Sequence, residues 1–257
     1  MEQREQPIGV FDSGLGGISV LRACTALLPQ EDFLFFGDSA NAPYGEKSLA
    51  QVRRLTIAAV DRLLAQGVKA VVVACNTATS AAIHLLRQAH PDLPIIGIEP
   101  AVKPAALDVG SSSVIVMATP LTRREDKYQK LAAAFCHEAN VISLPCPGLA
   151  EMVEGGLFDG PVLDGYLQDL FLPFRYCSVD YIVLGCTHYP FVRRAIARNF
   201  GQPVAIIDGS EGTARQLRRQ LDAQGLLSQR QRPGTVTFQN SRPDKLTMSH
   251  TLFHMDF

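Results

Sequence analysis

The sequence has no excess of charge of either sign, since 24 basic and 25 acidic residues leave a net charge of −1 over 257 residues. Proteins that bind nucleic acid normally carry a basic excess or stripe, so this balance gives no support for nucleic-acid contact. No apolar run approaches the roughly 20 residues of a membrane-spanning helix. The polar N-terminus, MEQREQPIG, lacks the apolar core of a signal peptide, which predicts a cytoplasmic protein with no membrane partner.

Motifs for metal ions and for pyridoxal phosphate are also missing. The six cysteines are Cys24, Cys75, Cys136, Cys146, Cys177 and Cys186. They form no C-x-x-C pair and no Cys/His knuckle, so we expect no structural zinc site, and free thiols rather than disulfides. The six lysines lie mainly in helices or loops of exposed character, which gives no sign of a pyridoxal lysine. The sequence therefore predicts neither a metal nor a cofactor.

Short apolar runs alternate with amphipathic stretches along the chain. The apolar runs predict strands at 8–11, 33–37, 70–74, 94–98, 114–118, 141–144, 181–184 and 204–207. Most are unbroken runs of Val, Ile, Leu and Phe, as is typical of strands buried on both faces of a parallel sheet. Because helical periods lie between them, the expected fold is α/β. Residues 229–240 predict a loop and a short late strand. The tail beyond them is expected to be weakly structured, with docking of Leu252, Phe253 and Phe257 as the alternative.

Polar turns follow the predicted strands at their carboxyl ends, where ligands collect in open α/β sheets. The turn sequences are FDSGLGG at 11–17, GDSANAPYG at 37–45, ACNTATS at 74–80, IEPA at 98–101, ATPLT at 118–122 and GCTHYP at 185–190. The DSGLGG turn is neither a P-loop nor a G-x-G-x-x-G motif, and its alternative is a purely structural turn. Asp12 favours a functional role, because an acid at the end of a buried strand is costly unless it caps a helix or does chemistry.

Two cysteines occupy matched positions. Cys75 and Cys186 each end an apolar strand and precede two polar residues that open a helix. A helix N-terminus stabilises a thiolate, so we expect two related half-sites that face one cleft. The other cysteines lack this setting: Cys24 and Cys136 fall in predicted helices, and Cys146 and Cys177 in connections. We interpret those four as packing residues.

Three kinds of metal-free chemistry use two thiols. A redox dithiol normally comes from one C-x-x-C turn, and a single nucleophile would leave the second cysteine redundant. In two-base proton transfer, one thiolate removes a proton from one face of a carbon and the opposite thiol protonates the other face. The matched positions of the two cysteines favour this third alternative, because a racemisation must run equally well from either enantiomer.

The full set of motifs resembles that of the bacterial glutamate racemases. DSGLGG, GDSANAPYG, ACNTAT, IEPA, ATPLT and GCTHYP occur in the family's order over about 8–212, and ACNTAT together with GCTHYP is a specific pairing. The resemblance implies cofactor-independent interconversion of L- and D-glutamate, which supplies D-glutamate for peptidoglycan. It also implies two pseudo-symmetric lobes, each a mainly parallel sheet flanked by helices, with the active site in the cleft between them.

The resemblance further implies roles for individual residues. Cys75 and Cys186 correspond to the two acid/base thiols. Asp12 corresponds to the acid near the first thiol, His188 to the imidazole near the second, and Glu154 to its carboxylate helper. Substrate contacts correspond to Asp12, Ser13, Tyr44, Gly45, Asn76, Thr77, Thr187 and His188. Residues in matching turns with less defined roles are Asp38, Ser39, Glu99, Thr119 and Thr122.

We expect residues 1–98 and 208–257 to form the lobe that carries Cys75, and residues 99–207 to form the lobe that carries Cys186. The expected partner is a small amino acid, and a homodimer is left open. One alternative substrate is another acidic amino acid such as aspartate, because one methylene changes binding by only about 1–3 kcal/mol. The other alternative is a non-catalytic module that binds a small anion, with the thiols as packing.

Overall fold

Two separate parallel sheets organise the computed structural model, which describes residues 2–108, 112–119 and 139–257. The strands are β1 (Ile8–Asp12), β2 (Phe33–Gly37), β3 (Ala70–Val73), β4 (Ile95–Gly97), β5 (Ser112–Ala118), β6 (Ala139–Pro145), β7 (Tyr181–Leu184), β8 (Ala205–Asp208) and β9 (Val236–Asn240). The first sheet has the order β4-β3-β1-β2-β9 and the second has the order β6-β5-β7-β8. All pairings are parallel, so the carboxyl ends of the strands within each sheet share one edge.

Helices follow most strands, as parallel pairing requires. They are α1 (Ile18–Leu27), α2 (Leu49–Leu64), α3 (Asn76–Ala89), α4 (Val102–Asp108), α5 (Leu149–Glu154), α6 (Pro161–Phe171), α7 (Arg193–Phe200), α8 (Ser210–Ala223) and α9 (Leu246–His254). The start of α2 shows how local sequence sets these bounds. Ser48 and Gln51 form a reciprocal capping box there, which satisfies N–H groups that have no partner within the helix.

The core explains the unbroken apolar runs of the sequence. Every residue of β1, β2 and β3 is buried, because helices cover both faces of the first sheet. One hydrophobic cluster includes Val10 of the first sheet, Ile115 of the second, Leu21 of α1 and Leu217 of α8. The α8 helix follows the last strand of the second sheet and packs along α1, so this helix pair joins the two halves.

The eight predicted strands are present, and the late strand forms β9. The prediction of a weakly structured tail is wrong. Residues beyond β9 form a short 3₁₀ helix, Pro243–Lys245, and then α9. Leu252 is fully buried, and the Phe257 ring packs 4.7 Å from that of Phe191. The tail is ordered because its few apolar side chains find partners on distant segments, which a local pattern does not reveal. The expected lobe boundaries at 98 and 207 stay a prediction.

Lys69 departs from the expectation that the lysines are exposed. Its side chain is buried directly before β3, where Nζ lies 2.5 Å from the carboxylate of Glu31 and donates to the carbonyl of Arg4. The Ser228 N–H donates to the same carboxylate at 2.8 Å. This charge cluster lies at the amino ends of the strands, opposite the polar turns. No helix in the described part of the chain is long and apolar enough to cross a membrane.

Candidate active site

A cavity of about 240 Å³ lies where the carboxyl ends of both sheets meet. Ten of the predicted site residues line it: Ser13, Tyr44, Gly45, Cys75, Asn76, Thr77, Glu154, Cys186, Thr187 and His188. Of the turn residues with less defined roles, Ser39 and Thr119 line the cavity, whereas Asp38 and Glu99 do not. Thr122 and Cys136 lie outside the described residues. Because Cys75 follows β3 and Cys186 follows β7, each sheet contributes one thiol.

The Cys75 thiol caps the N-terminus of α3. Its Sγ accepts hydrogen bonds from the Ala78 N–H at 3.4 Å and from the Ser13 hydroxyl at 3.3 Å. Burial nevertheless raises the pKa of Cys75 to about 12, and the nearby Asp12 carboxylate adds to the rise. The expectation that the helix N-terminus lowers this pKa is therefore wrong in net effect, because burial and a like charge outweigh the two hydrogen bonds.

The Cys186 thiol has a different environment. Its Sγ lies 3.6 Å from Nδ1 of His188, and Nε2 of that ring lies 2.7 Å from the Glu154 carboxylate. Burial lowers the pKa of His188, but the hydrogen bonds and charges of Cys186 and Glu154 raise it by more, well above its usual value. Burial likewise raises the pKa of Glu154, but the hydrogen bond and charge of His188, the Leu15 N–H and the charge of Lys245 together lower it by more. These shifts favour the charged form of both side chains, and Nδ1 of the His188 ring faces the Cys186 sulfur.

Asp12 lies behind the cavity wall and does not line it. Its carboxylate accepts hydrogen bonds from the Gly14 N–H at 2.9 Å and from the Thr187 hydroxyl at 3.0 Å. Burial raises the pKa of Asp12, although the charge of His188 opposes the rise. Asp12 thus ties the end of β1 to the turn that carries Cys186, while its charge also acts on Cys75.

The β1–α1 turn contacts the acid/base groups through its backbone. The Leu15 N–H donates to Glu154 at 2.5 Å, and the Gly16 N–H lies 3.2 Å from Nε2 of His188. A turn that opens a helix leaves N–H groups without a partner inside the helix. Two of them instead meet the pair that supports Cys186, in the other half of the molecule.

A second turn is held by a buried carboxylate. The Tyr44 hydroxyl donates to Asp38 at 2.8 Å, and Asn41 donates to the same group. A Cβ added at Gly45 would lie 2.8 Å from Cβ of Thr119, so this close approach of the two halves requires glycine. Asp38 therefore orients the turn that brings Tyr44 to the cavity without reaching the cavity itself.

Sequence reasoning missed several residues of the cavity wall, among them Cys146, Glu151, Tyr189, Arg242 and Lys245. Cys146 was predicted to be a packing residue. It is buried, but it also lines the cavity, and burial raises the pKa of its thiol. Arg242 and Lys245 follow β9, so a reading of the late strand as parallel to the others would have placed them at this edge.

The other two described cysteines, Cys24 and Cys177, are free thiols in different surroundings. Cys24 is buried in α1, in agreement with a packing role, and burial raises its pKa to about 12. Cys177 is exposed, so its predicted packing role is wrong. Within the described ranges, no group of three or more His, Cys, Asp or Glu side chains is arranged to hold a metal ion.

Known proteins are similar to this chain in sequence and in fold. The family described as Asp/Glu/Hydantoin racemase matches residues 8–217. A glutamate racemase of Clostridium botulinum is 48% identical over 257 residues, which covers 99% of this chain and 100% of that protein. A glutamate racemase of Francisella tularensis in complex with D-glutamate superimposes with a TM-score of 0.84 at 29% identity, covering 97% and 94% of the two chains.

A third relative agrees with these. Glutamate racemase from Thermus thermophilus, in complex with β-chloro-D-alanine, superimposes with a TM-score of 0.81 at 37% identity, covering 98% of this chain and 94% of that one. The family match, the 48% identity over the full length and the shared fold of two parallel sheets lead to one conclusion. The chain belongs to the Asp/Glu/Hydantoin racemase family.

Proposed function

We propose that this protein interconverts L-glutamate and D-glutamate by two-base transfer of the α-proton, and so supplies D-glutamate for peptidoglycan. The observation that supports this most directly is the pair of thiols, Cys75 and Cys186, which come from different sheets and line one cavity. The full-length similarity to glutamate racemases supports glutamate as the substrate.

The reaction consumes no proton and no electron. One sulfur takes the α-proton as the Cα–H bond breaks, and the other thiol delivers its proton to the opposite face of the same carbon. The enantiomer of the substrate decides which sulfur acts as the base. His188 stabilises negative charge on Cys186 through its N–H, and Glu154 stabilises the imidazolium in turn.

The substrate itself supplies the positive charge that the surroundings of Cys75 lack. Burial and the Asp12 carboxylate raise the pKa of Cys75, so in the empty cavity the thiol keeps its proton at neutral pH. The ammonium group of an amino acid brings a positive charge into the cavity, and a nearby opposite charge favours the thiolate. Proton abstraction is thereby coupled to the presence of substrate.

Hydroxyl and amide side chains line the cavity where the carboxylates of the substrate would bind. Ser13, Thr77 and Thr187 line the cavity, as does Asn76, whose buried side-chain oxygen has no hydrogen-bond partner among the described residues. A buried polar group without a partner is costly, and a bound amino acid satisfies it. These positions agree with the substrate contacts that the resemblance implies.

We also propose that the protein acts in the cytoplasm. The five described cysteines are free thiols, which is usual in a reducing compartment. Light scattering on the eluting peak of a size-exclusion column tests whether the chain forms a homodimer.

The first test is racemisation itself. Purified protein, treated with EDTA and given no cofactor, is expected to convert L- and D-glutamate into each other, as followed by circular dichroism, and to act far more slowly on aspartate. Faster conversion of aspartate would make the other acidic amino acid the substrate. Binding of glutamate without any conversion would favour the non-catalytic module.

The second test separates the two thiols. Cys75→Ser and Cys186→Ser are each expected to lower racemisation by about 10²–10⁴-fold, because a hydroxyl is a poor base at neutral pH. Racemisation rates cannot assign the faces, since the enantiomers have equal free energy and kcat/KM must be the same in both directions. Elimination of chloride from 3-chloroglutamate, supplied as the two enantiomers of one diastereomer, needs only one abstraction, and the enamine then hydrolyses to 2-oxoglutarate and ammonia.

Each single variant is therefore expected to eliminate chloride from one enantiomer of 3-chloroglutamate, and the two variants from opposite enantiomers. Coupled reduction of the released 2-oxoglutarate measures the rate. Equal handling of both enantiomers by either variant would contradict one thiol per face.

A further inference from the structure

Lys245 enters the cavity wall from a part of the chain that none of the sequence motifs covers. It ends the short helix Pro243–Lys245, its side chain is half-buried, and Nζ donates a hydrogen bond of 2.5 Å to the carbonyl of Glu154. Glu154 is the last residue of α5, and the final carbonyls of a helix have no partner within it. A lysine at that end satisfies one of them and complements the helix dipole.

The segment that carries Lys245 is fixed to the first sheet. The Ser241 N–H donates to the carbonyl of Gly37 at 2.9 Å, and the Ser241 hydroxyl accepts from the Ala40 N–H at 2.9 Å. Asn240 also donates to the hydroxyl of Ser39 at 3.0 Å. Lys245 therefore reaches from the edge of the first sheet to a helix of the second half.

A packing contact accompanies the hydrogen bond. A Cβ added at Gly156, two residues beyond α5, would lie 3.2 Å from Cε of Met248 in α9. The C-terminal segment thus approaches the end of α5 at two points, through the hydrogen bond of Lys245 and through the side chain of Met248, which fills the space beside Gly156. Both points lie next to the residue whose carboxylate pairs with His188.

The charge of Lys245 adds to the effect of its position. Glu154 is faced by His188 from the β7–α7 turn, by Asp12 from the end of β1, and by Lys245 and Arg242 from the C-terminal segment. Burial raises the pKa of Glu154, and the hydrogen bond and charge of His188, followed by the Leu15 N–H and the charge of Lys245, lower it. Lys245 is therefore a cation that acts on this carboxylate without bonding to its oxygens.

We propose that Lys245 is a positioning residue for the Cys186 half of the reaction, which holds the end of α5 so that Glu154 stays paired with His188. This inference rests on the proposed two-thiol racemisation. It assigns to the C-terminal segment a function that acts on one thiol only. Lys245 touches neither sulfur, so its effect passes through Glu154 and His188.

The experiment compares both enantiomers of 3-chloroglutamate in one sample of Lys245→Met. We call the enantiomer that Cys75→Ser still processes the Cys186-dependent one. Its elimination is expected to slow by on the order of tenfold, because small displacements of acid/base groups have large effects on rate. Elimination from the other enantiomer is expected to change less than about twofold. The ratio of the two rates does not depend on how much of the protein is folded.

Two further variants complete the design. Lys245→Arg keeps the charge and the donor, and is expected to restore the ratio of the unmodified protein to within about threefold. Lys103→Met removes an exposed lysine on α4 and is expected to leave the ratio unchanged. Equal slowing of both enantiomers by Lys245→Met would overturn the inference. If the unmodified protein neither racemised glutamate nor eliminated chloride, the proposed function itself would fail.

Discussion

At the residue scale, the two thiols of the cavity differ in their charged neighbours. Cys75 has a carboxylate nearby, from Asp12, whereas Cys186 has the imidazolium of His188 against its sulfur. A pseudo-symmetric reaction is thus served by two unlike environments. Burial and Asp12 raise the pKa of Cys75, so the proposed reaction depends on the positive charge of the substrate at this side of the cavity.

The buried carboxylate of Asp12 is predicted to lower the free energy of unfolding at neutral pH. A carboxyl whose pKa is raised on folding stabilises the protein below the unfolded pKa, and this contribution is lost as the pH rises through the folded value. Asp12→Asn removes the buried charge and is expected to raise Tm by about 2–4 °C at pH 7, equivalent to roughly 1 kcal/mol, while racemisation falls.

The pH dependence of that gain identifies its cause. Near pH 4 and below, a protonated Asp12 resembles Asn, so the two melting temperatures are expected to converge, as measured by calorimetry from pH 4 to pH 8. Asp92→Asn at an exposed position serves as the control and is expected to show no such trend. A gain for Asp12→Asn that stayed constant across this range would exclude burial of charge as its origin.

Ten residues predicted from the sequence line the cavity, and most of them lie in polar turns that parallel strands bring to one edge. The direction of the Cys75 pKa was not predictable in the same way. It depends on burial and on Asp12, 63 positions away in the chain, and neither can be read from the residues around ACNTAT. Lys245 was missed for a related reason, since its only sequence context is a short strand with a weak pattern.

At the scale of elements, the β1–α1 turn joins the two halves through its backbone. Leu15 and Gly16 direct N–H groups at Glu154 and His188, which belong to the other half. Such an approach leaves no space for side chains. A Cβ added at Gly16 would lie 2.5 Å from Nδ1 of His188 and 2.5 Å from Oγ1 of Thr187. Glycine is required there because the turn presses against the acid/base groups.

Gly16→Ala is therefore expected to displace His188 and to lower kcat by on the order of 10²-fold, as a displacement of about 1 Å does. Gly212→Ala is the matched control. Gly212 lies within α8, and a Cβ added there meets nothing within 4 Å. That change is expected to leave kcat unaltered and to stabilise the helix by roughly 0.5–1 kcal/mol. A kcat of Gly16→Ala equal to that of Gly212→Ala would show that the turn accommodates a Cβ without displacing His188.

At the scale of the whole molecule, the two ends of the strands carry different features, one for the reaction and one for stability. The carboxyl ends carry the cavity, and the amino ends carry the buried pair of Lys69 and Glu31. That pair also contacts Arg4 and Ser228, so it connects the N-terminal segment, two strand starts and the segment before β9. Changes there are expected to affect stability and leave the chemistry intact.

Lys69→Met is expected to lower the free energy of unfolding by about 3–5 kcal/mol, because Glu31 keeps a buried charge without its partner. The double variant Lys69→Met/Glu31→Gln removes that charge and retains an acceptor for Ser228, so its loss is expected to be smaller. Urea unfolding measures both, with the exposed Lys103→Met as the control. A double variant less stable than the single one would show that the pair matters for packing and not for charge. The kcat of the folded fraction is expected to stay the same in all three.

The position of β9 has a consequence for the order in which the molecule is assembled. β9 closes the edge of the first sheet, with Val236 beside Phe33 across 203 positions of sequence. A ribosome makes the second sheet entirely before it makes this strand, so the growing chain carries an open edge at β2 throughout that time. Lys245 follows β9 by only a few residues. Racemisation activity therefore appears only at the end of synthesis. A chain that is truncated before β9 holds both thiols, but its first sheet keeps an open edge that favours aggregation.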